Sequence, residues 1–424
     1  MITRIEVEGY KSLKCVDVTL GAMTVVMGPN AAGKSNLFDA LNLVARLVTC
    51  KNIKQAFEGH RGLPLESVNY FEGSLDDILN AEKHLLKFTV DVALSDTVVQ
   101  DVEQRIRDLR KGIDDGKKQA VPDRLRITER HLRYHIELEV LSKSGVIRVL
   151  TEQLSALRKR DHGEKARNAF LAKKGGKLNL VMEGQAHPTY YEIGLDYTIA
   201  STPLYAPHYP HLTAFREEMS RCRFYYFEPR LLMREANAVA DVTVLGARGD
   251  DLAAFYHTLA IRQPKQFAAL KLAAKQILPN LADLSVVRNA KAELFLNVTV
   301  GKATYSNRLI SEGMLRVLGL LAVLSPMSGS TTIGYEEPEN GVHPRRLRDI
   351  AELLKNAASP SRQIVINTHS PILPTYFHNE NLLVCRTGGK GTEFTPFSSL
   401  GDLYRPREIA NHLEEQIIRG DYGG

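Results

Sequence analysis

The sequence GPNAAGKSN, from Gly28 to Asn36, constrains the fold of this chain more than any other feature. It satisfies the pattern GxxxxGK[ST], and it follows an apolar run, Met23 to Met27, that is typical of a buried strand. The next segment, SNLFDALNLVARLV (35–48), has leucines at helical spacing and predicts a helix. This order of strand, glycine-rich loop and helix predicts a phosphate-binding P-loop.

The residue types of this loop suit a triphosphate. Glycines let successive backbone N–H groups point into one hollow, and the helix N-terminus adds partial positive charge. Lys34 would reach the β- and γ-phosphates, and the Ser35 hydroxyl would ligate Mg²⁺. The predicted ATP-binding residues are Gly28, Pro29, Asn30, Ala31, Ala32, Gly33, Lys34, Ser35 and Asn36.

Length and composition indicate a folded protein of roughly two to four domains. Of its 424 residues, 44% are hydrophobic and 25% charged, which excludes collagen-like, disordered and coiled-coil-only chains. No window approaches the ~18 apolar residues of a membrane span, and no signal peptide is recognisable, so we expect a cytoplasmic protein. The 4 cysteines are far apart in the sequence and predict reduced thiols rather than disulfides or a zinc site.

The patterns along the chain predict an α/β fold with a mixed sheet and an insertion. A helical pattern covers 95–118, an alternating pattern predicts a hairpin over 130–150, and helical patterns return over 250–278 and in the tail. We expect three domains, namely an N-terminal lobe with the P-loop over 1–95, a basic, strand-rich insertion over 96–245, and a C-terminal lobe over 246–424.

Two adjacent carboxylates follow a short apolar run in the C-terminal lobe, in the sequence TTIGYEEPENGVHP. Glu336 and Glu337 would emerge where a strand ends at the carboxyl edge of the sheet, beside the P-loop. Because successive strand residues point to opposite sides, the two acids can take separate roles. Glu336 would hold the Mg²⁺ shell, and Glu337 would orient and polarise the attacking water. The alternative is a charged turn after a strand.

Two further segments complete the candidate site. INTHSP ends another apolar run and places His369 at the edge of a strand that would neighbour the Glu336 strand. This histidine would either be structural or, as the resemblance described below implies, hydrogen-bond the γ-phosphate. LISEGMLRVLGLLAVL begins a long apolar helix at Ser311 and Gly313. On its own, Ser311 would be only the cap of a core helix.

The order of these motifs resembles the ATP-binding cassette superfamily, and in particular ATPase heads of the RecF, SMC and Rad50 type. It is similar to the predicted AAA ATPases with EEPENGxHP and a terminal THSP segment. The resemblance is carried by RIEVEGYKSLK, GPNAAGKSN, ISEGMLR, YEEPENGVHP and NTHSP, and it extends over nearly the whole chain.

The resemblance implies an ATPase that closes head to head as a homodimer around two ATP molecules with Mg²⁺. Glu337 and His369 would be catalytic, and Ser35 and Glu336 would hold the metal. The signature that contacts the partner's nucleotide would consist of Ser311, Glu312 and Gly313, and the D-loop that crosses the interface would contain Asn340, Gly341 and His343. Most cassette ATPases have aspartate at the position of Glu336, and the linking glutamine of the family is not identifiable here.

The net charge of +6 is unevenly distributed, because residues 101–175 alone carry 19 Lys or Arg and 12 Asp or Glu. This basic segment would either bind the phosphate backbone of DNA or form a solvated charged face. The resemblance includes Septu-type and retron-associated ATPases, which implies control of a separate effector such as an HNH nuclease in anti-phage defence. The alternative is a RecF- or SMC-like DNA-binding ATPase in repair or recombination.

Two other classes fit the sequence less well. A self-contained nuclease of the OLD type needs a carboxylate-rich domain after His369, and the segment that follows contains no DxD. The energy subunit of a membrane transporter typically has an LSGGQ-type signature and a shorter insertion than this chain. We therefore expect no membrane partner.

Overall fold

The computed structural model describes residues 1–58, 62, 64–69, 75–111, 126–158, 163, 165, 169–183, 188–389 and 391–400. The chain forms two compact units. The first contains Met1–Gly21, Ala31–Cys222 and Cys385–Phe394, and the second contains Ala22–Asn30, Arg223–Val384 and Thr395–Gly424. Each unit is therefore assembled from segments that are distant in the sequence.

The strands and helices alternate irregularly along the chain. The strands are β1 (Ile2–Tyr10), β2 (Leu13–Thr19), β3 (Met23–Met27), β4 (Lys83–Ala93), β5 (His131–Leu141), β6 (Ile147–Ala156), β7 (Leu171–Lys174), β8 (Lys177–Leu180), β9 (Thr189–Glu192), β10 (Cys222–Tyr225), β11 (Asn237–Ala238), β12 (Leu281–Arg288), β13 (Glu293–Val300), β14 (Ala303–Ser306), β15 (Thr332–Glu336), β16 (Gln363–Thr368), β17 (Leu382–Gly388) and β18 (Gly391–Pro396). The helices are α1 (Lys34–Thr49), α2 (Ile53–Phe57), α3 (Leu75–Asn80), α4 (Asp96–Lys111), α5 (Pro210–Ser220), α6 (Leu252–Arg262), α7 (Pro264–Ile277), α8 (Glu312–Val323) and α9 (Leu347–Ala357).

The first unit is built on an antiparallel sheet in the order β2-β1-β4-β5-β6-β7-β8-β9. Alternate residues of β5 are buried, as expected for strands that pack one face on a core. Helix α5 packs against both α1 and α4. The predicted hairpin over 130–150 is confirmed, because β5 and β6 pair antiparallel around a short turn.

A second sheet has the order β10-β15-β16-β3-β17-β18, in which β15, β16, β3 and β17 run parallel, and most of its strands belong to the second unit. Every residue of β3, β15 and β16 is buried, which is typical of parallel strands with both faces covered. A smaller antiparallel sheet, β11-β13-β12 with β14 on β13, also belongs to this unit. Helices α6, α7 and α8 pack together over an apolar core.

The mixed α/β class with large sheets is confirmed, and several local expectations need refinement. The helical pattern over 250–278 forms two helices, because Pro264 cannot continue the backbone hydrogen bonds of α6 and begins α7 instead. Helix α4 covers 96–111, and the rest of the predicted helix lies outside the described residues. Part of the expected helical tail is wrong, since β17 and β18 occupy 382–396, and residues 401–424 lie outside the described part.

Candidate functional site

The P-loop connects β3 to α1, as its sequence predicts. Ala31 and Gly33 adopt left-handed backbone angles, with φ of 63° and 104°. Gly33 is the N-cap of α1, and it makes no side-chain cap hydrogen bond. The first turn of α1 contains no acidic residue. These features suit an anion, because the dipole of the helix favours negative charge at this end.

In the second unit, three parallel strands end side by side. Glu336 of β15 is in register with Asn367 of β16, and Asn367 is in register with Val26 of β3. The residues that follow are Glu337, His369 and the segment Gly28 to Asn30. The structure therefore brings the two carboxylates, the histidine and the beginning of the P-loop to one edge of the sheet, where ligands of α/β proteins bind.

Glu336 is almost fully buried, with 6% of its surface exposed. One carboxylate oxygen accepts a hydrogen bond from the Asn367 amide at 3.1 Å. A magnesium ion in a nucleotide site commonly uses one or two protein carboxylates together with phosphate oxygens and water. The oxygen donors of Glu336, and the Ser35 hydroxyl in the first unit, are therefore of the kind that Mg²⁺ binds.

Glu337 is held in an unusual backbone conformation. Its φ is 51°, in the left-handed region, which for a residue with a side chain costs on the order of 1 kcal/mol or more. Its N–H donates to both the backbone and the side-chain oxygen of Asn367, each at 3.1 Å. Its carboxylate accepts from the Asn340 amide, and its other oxygen lies 3.5 Å from Nδ1 of His369. Asn340 and His369 thus flank the Glu337 carboxylate.

Glu339, which has no role predicted from the sequence, lies buried beside this cluster. Its Oε1 accepts from the Thr368 hydroxyl at 2.6 Å and from the N–H groups of His369 and Ser370 at 3.2 Å each. Its Oε2 is buried and has no hydrogen-bond partner among the residues that the structure describes. Glu339 therefore connects the loop after β15 to the histidine segment after β16.

The signature and the D-loop touch through two glycines. A Cβ on Gly313 would lie 2.0 Å from the carbonyl oxygen of Gly341, and Gly341 has a φ of 73°. Ser311 caps α8 by accepting from the N–H of Met314 at 3.3 Å, and Glu312 pairs with Arg230 at 2.7 Å. The structure thus brings the predicted trans-acting segments of the second unit together.

A cavity of about 620 Å³ opens beside these glycines. Its polar lining includes Ser311, Gly313, Gly341, His343, Arg345 and Arg346. Arg346 forms an ion pair with Asp349 at 3.4 Å, and Arg345 is exposed. The rest of the lining is mostly apolar, so the positive charge at this cavity comes from the two arginines, which have no predicted role.

The basic segment is partly neutralised by acids. Arg133 pairs with the buried carboxylate of Asp91 through two hydrogen bonds of 2.7 and 2.8 Å, and Arg105 lies 3.4 Å from Glu217. Lys159 and Arg160 lie outside the described residues. The segment therefore presents fewer unpaired positive charges than its sequence suggests.

No helix in the described ranges has the length and apolar composition needed to cross a membrane.

The family model described as "AAA domain, putative AbiEii toxin, Type IV TA system" matches residues 23–167 and 218–373. A search of curated proteins found no match.

Several solved structures are similar to this chain. The SMC head bound to the C-winged helix domain of ScpA is 13% identical, with a TM-score of 0.49 over 93% of this chain and 97% of that chain. The SMC head domain from Thermotoga maritima is 12% identical, with a TM-score of 0.42 over 93% and 98%. The Smc head domain with an extended coiled coil, bound to the C-terminal domain of ScpA derived from Pyrococcus furiosus, is 13% identical, with a TM-score of 0.49 over 99% of each chain.

Proposed function

The chain belongs to the AAA-domain family whose model matches most of its length, and from this premise we propose that it binds ATP with Mg²⁺, hydrolyses it, and closes into a homodimer around it. The observation that carries the proposal is the row of strand ends at Val26, Asn367 and Glu336. This row supports placing a carboxylate pair and a histidine next to the beginning of the P-loop.

Different residues would contact different parts of the nucleotide. Lys34 would neutralise the β- and γ-phosphates, and the Ser35 hydroxyl would ligate the metal. The buried Glu336 would hold the hydration shell of the metal, with Asn367 fixing its carboxylate. When bound, Mg²⁺ supplies positive charge to the phosphate oxygens during phosphoryl transfer.

Glu337 would orient the attacking water and accept its proton. The Asn340 amide and the His369 ring contact its carboxylate from two sides, which limits the directions in which the carboxylate can point. Positioning of this kind supplies much of the catalysis in phosphoryl transfer. His369 would also contact the γ-phosphate, and this contact would be lost when ATP is hydrolysed.

The Glu337→Gln variant tests this assignment. We expect hydrolysis to fall about a thousandfold while ATP binding is kept, so that an ATP-bound dimer accumulates in light-scattering measurements. Glu352→Gln, an exposed glutamate on α9, is the matched control and should hydrolyse ATP normally. Hydrolysis by Glu337→Gln at the wild-type rate would show that Glu337 is not the base.

The dimer would form through the face that carries Ser311, Glu312 and Gly313. These residues and the D-loop residues Asn340, Gly341 and His343 would contact the triphosphate bound to the other protomer. The cavity beside Gly313 and Gly341, which the exposed Arg345 also lines, supports this role. A protein that stays monomeric with ATP in the Glu337→Gln variant would contradict it.

The ATPase would control a separate effector in anti-phage defence, and an HNH nuclease is our candidate. The description of the family names a toxin–antitoxin system, which supports action together with a second protein, and the nuclease itself is suggested by the resemblance to Septu-type and retron-associated ATPases. Cells that express the chain with its neighbouring genes should resist phage, and Lys34→Ala should abolish the resistance. Equal plating efficiency of the phage on cells with the wild type and on cells with Lys34→Ala would refute this role.

The division of the chain into three domains, over 1–95, 96–245 and 246–424, remains a prediction.

A further inference from the structure

The carbonyl group of Ala32, in the middle of the P-loop, is held by the first-unit part of the β17–β18 hairpin. The Thr392 hydroxyl donates to this oxygen at 2.9 Å, and the Cys385 thiol donates to it at 3.4 Å. Both side chains are buried. We propose that Thr392 is a positioning residue for the triphosphate, because it fixes the peptide between Ala32 and Gly33.

The hydrogen bonds around Thr392 form a directed chain. The Asn36 amide donates to the Ser12 hydroxyl at 2.7 Å, and the Ser12 and Thr392 hydroxyls are 2.6 Å apart. Since a hydroxyl has one proton and Thr392 gives it to Ala32, Ser12 must donate to Thr392. The N–H of Thr392 also donates to the carbonyl of Ser12 at 3.0 Å, which ties the hairpin to the β1–β2 turn.

Because of the geometry of the peptide bond, the hydrogen bond from Thr392 to Ala32 also determines the direction of the Gly33 N–H. In a trans peptide the C=O of one residue and the N–H of the next point in opposite directions. With the Ala32 carbonyl directed at Thr392, the Gly33 N–H points away from the hairpin. Within the described residues this N–H donates to no other group, whereas the Gly33 carbonyl accepts from Asn36 and Leu37. The Gly33 N–H is thus available to a phosphate oxygen.

Close packing keeps this arrangement in place. A Cβ on Gly33 would lie 2.1 Å from Oγ1 of Thr392 and 2.7 Å from Oγ of Ser12. The hydroxyl groups therefore fill the space that only a glycine leaves. Burial raises the pKa of Cys385 to about 12, so its thiol keeps the proton that it donates to Ala32.

The inference rests on the proposed ATP binding, and three variants of the full chain test it. Thr392→Val keeps the shape of the side chain but loses the hydroxyl, so the KM for ATP should rise about tenfold while kcat changes less than twofold. Thr392→Ser keeps the hydroxyl and should restore the KM to within twofold of wild type. Thr387→Val, an exposed threonine of the same hairpin, is the control and should behave as wild type.

A fourth variant covers the case in which Thr392→Val does not fold. Ser12→Ala removes the donor to Thr392 at a half-buried position, and it should raise the KM about threefold. An unchanged KM in Thr392→Val or in Ser12→Ala would overturn the inference and leave ATP binding intact. A wild-type chain that binds no ATP would instead overturn the proposed function, and the inference with it.

Discussion

The P-loop and the carboxylate edge of the second unit are built in different ways. The loop offers backbone N–H groups, whose directions follow from the left-handed angles of Ala31 and Gly33. The carboxylate edge offers side chains, and each is fixed by another polar side chain, as Asn367 fixes Glu336 and Asn340 fixes Glu337. The first arrangement depends on the conformation of the backbone, and the second depends on hydrogen bonds between polar side chains.

This difference teaches how each region should respond to mutation. A backbone site loses affinity when the conformation of its peptide units changes, because the N–H groups then point elsewhere. A side-chain site loses rate when its supports are removed, because the reacting groups move from their positions while the nucleotide stays bound. The predictions below test this contrast between affinity and rate.

The largest effect is expected at the P-loop, for Gly33→Ala. The new methyl group would collide with Thr392, and alanine is strained at a φ of 104°. Together these costs should weaken ATP binding about a thousandfold. Isothermal titration with ATP and Mg²⁺ measures the effect. The control is Gly389→Ala, where a Cβ meets nothing within 4 Å, and binding there should be normal. If Gly33→Ala bound ATP with wild-type affinity, ATP binding would not depend on the backbone conformation of the P-loop.

At the carboxylate edge, Glu339→Ala should lower kcat about a hundredfold and change the KM for ATP little. The substitution removes the acceptor of Thr368, His369 and Ser370, so the histidine would lose its position beside Glu337. Steady-state kinetics measures both constants. Glu352→Ala removes an exposed acid that pairs with Lys355, and it is the control. A large rise in KM with unchanged kcat would reverse the expected pattern.

The antiparallel sheet of the first unit contains Glu152, which lies outside both regions of the candidate site. The protonation of Glu152 should change the stability of the protein and leave nucleotide binding unchanged. Glu152 is fully buried, and it accepts hydrogen bonds from Tyr134, Ile199 and Ala200. Burial raises its pKa to about 7. The folded protein thus keeps a proton that the unfolded chain releases near its ordinary pKa, so stability falls as pH rises between these two values.

From pH 5 to pH 7 this group should lower the free energy of unfolding by about 2 kcal/mol. Urea denaturation at several pH values, with wild type and Glu152→Gln, measures the contribution. The variant has no titrating carboxyl, so its stability should change less across this range. Parallel pH profiles for the two proteins would show that Glu152 does not titrate there.

The sequence predicts those parts of the site that are continuous along the chain. Lys34 and Ser35 are recognisable because they belong to a GxxxxGK[ST] pattern between a strand and a helix, and Glu336 and His369 because each follows a short apolar run. The contacts of Glu339 and Thr392 were not predicted, because their partners lie 29 and 360 residues away in the sequence. The acidic sequence that contains Glu339 could have indicated its place in the site, whereas no sequence pattern around Thr392 could have done so.

The fold shows the same limit. The alternating and apolar runs predict β5, β6, β15 and β16 well, because burial on one or both faces determines their residue types. Strands β17 and β18 were expected to be part of a helical tail. Strand β17 pairs with β3, and β18 lies next to β17, and spacing within 382–396 does not reveal this pairing.

Equilibrium binding of ATP in the presence of Mg²⁺, by the wild-type chain and by Lys34→Ala, tests the central claim most directly. Our account predicts that the wild type retains ATP and that the variant binds it at least about a hundredfold more weakly, because the charge facing the phosphates is lost. Equal affinities in the two proteins, or no retention of ATP by the wild type, would contradict it.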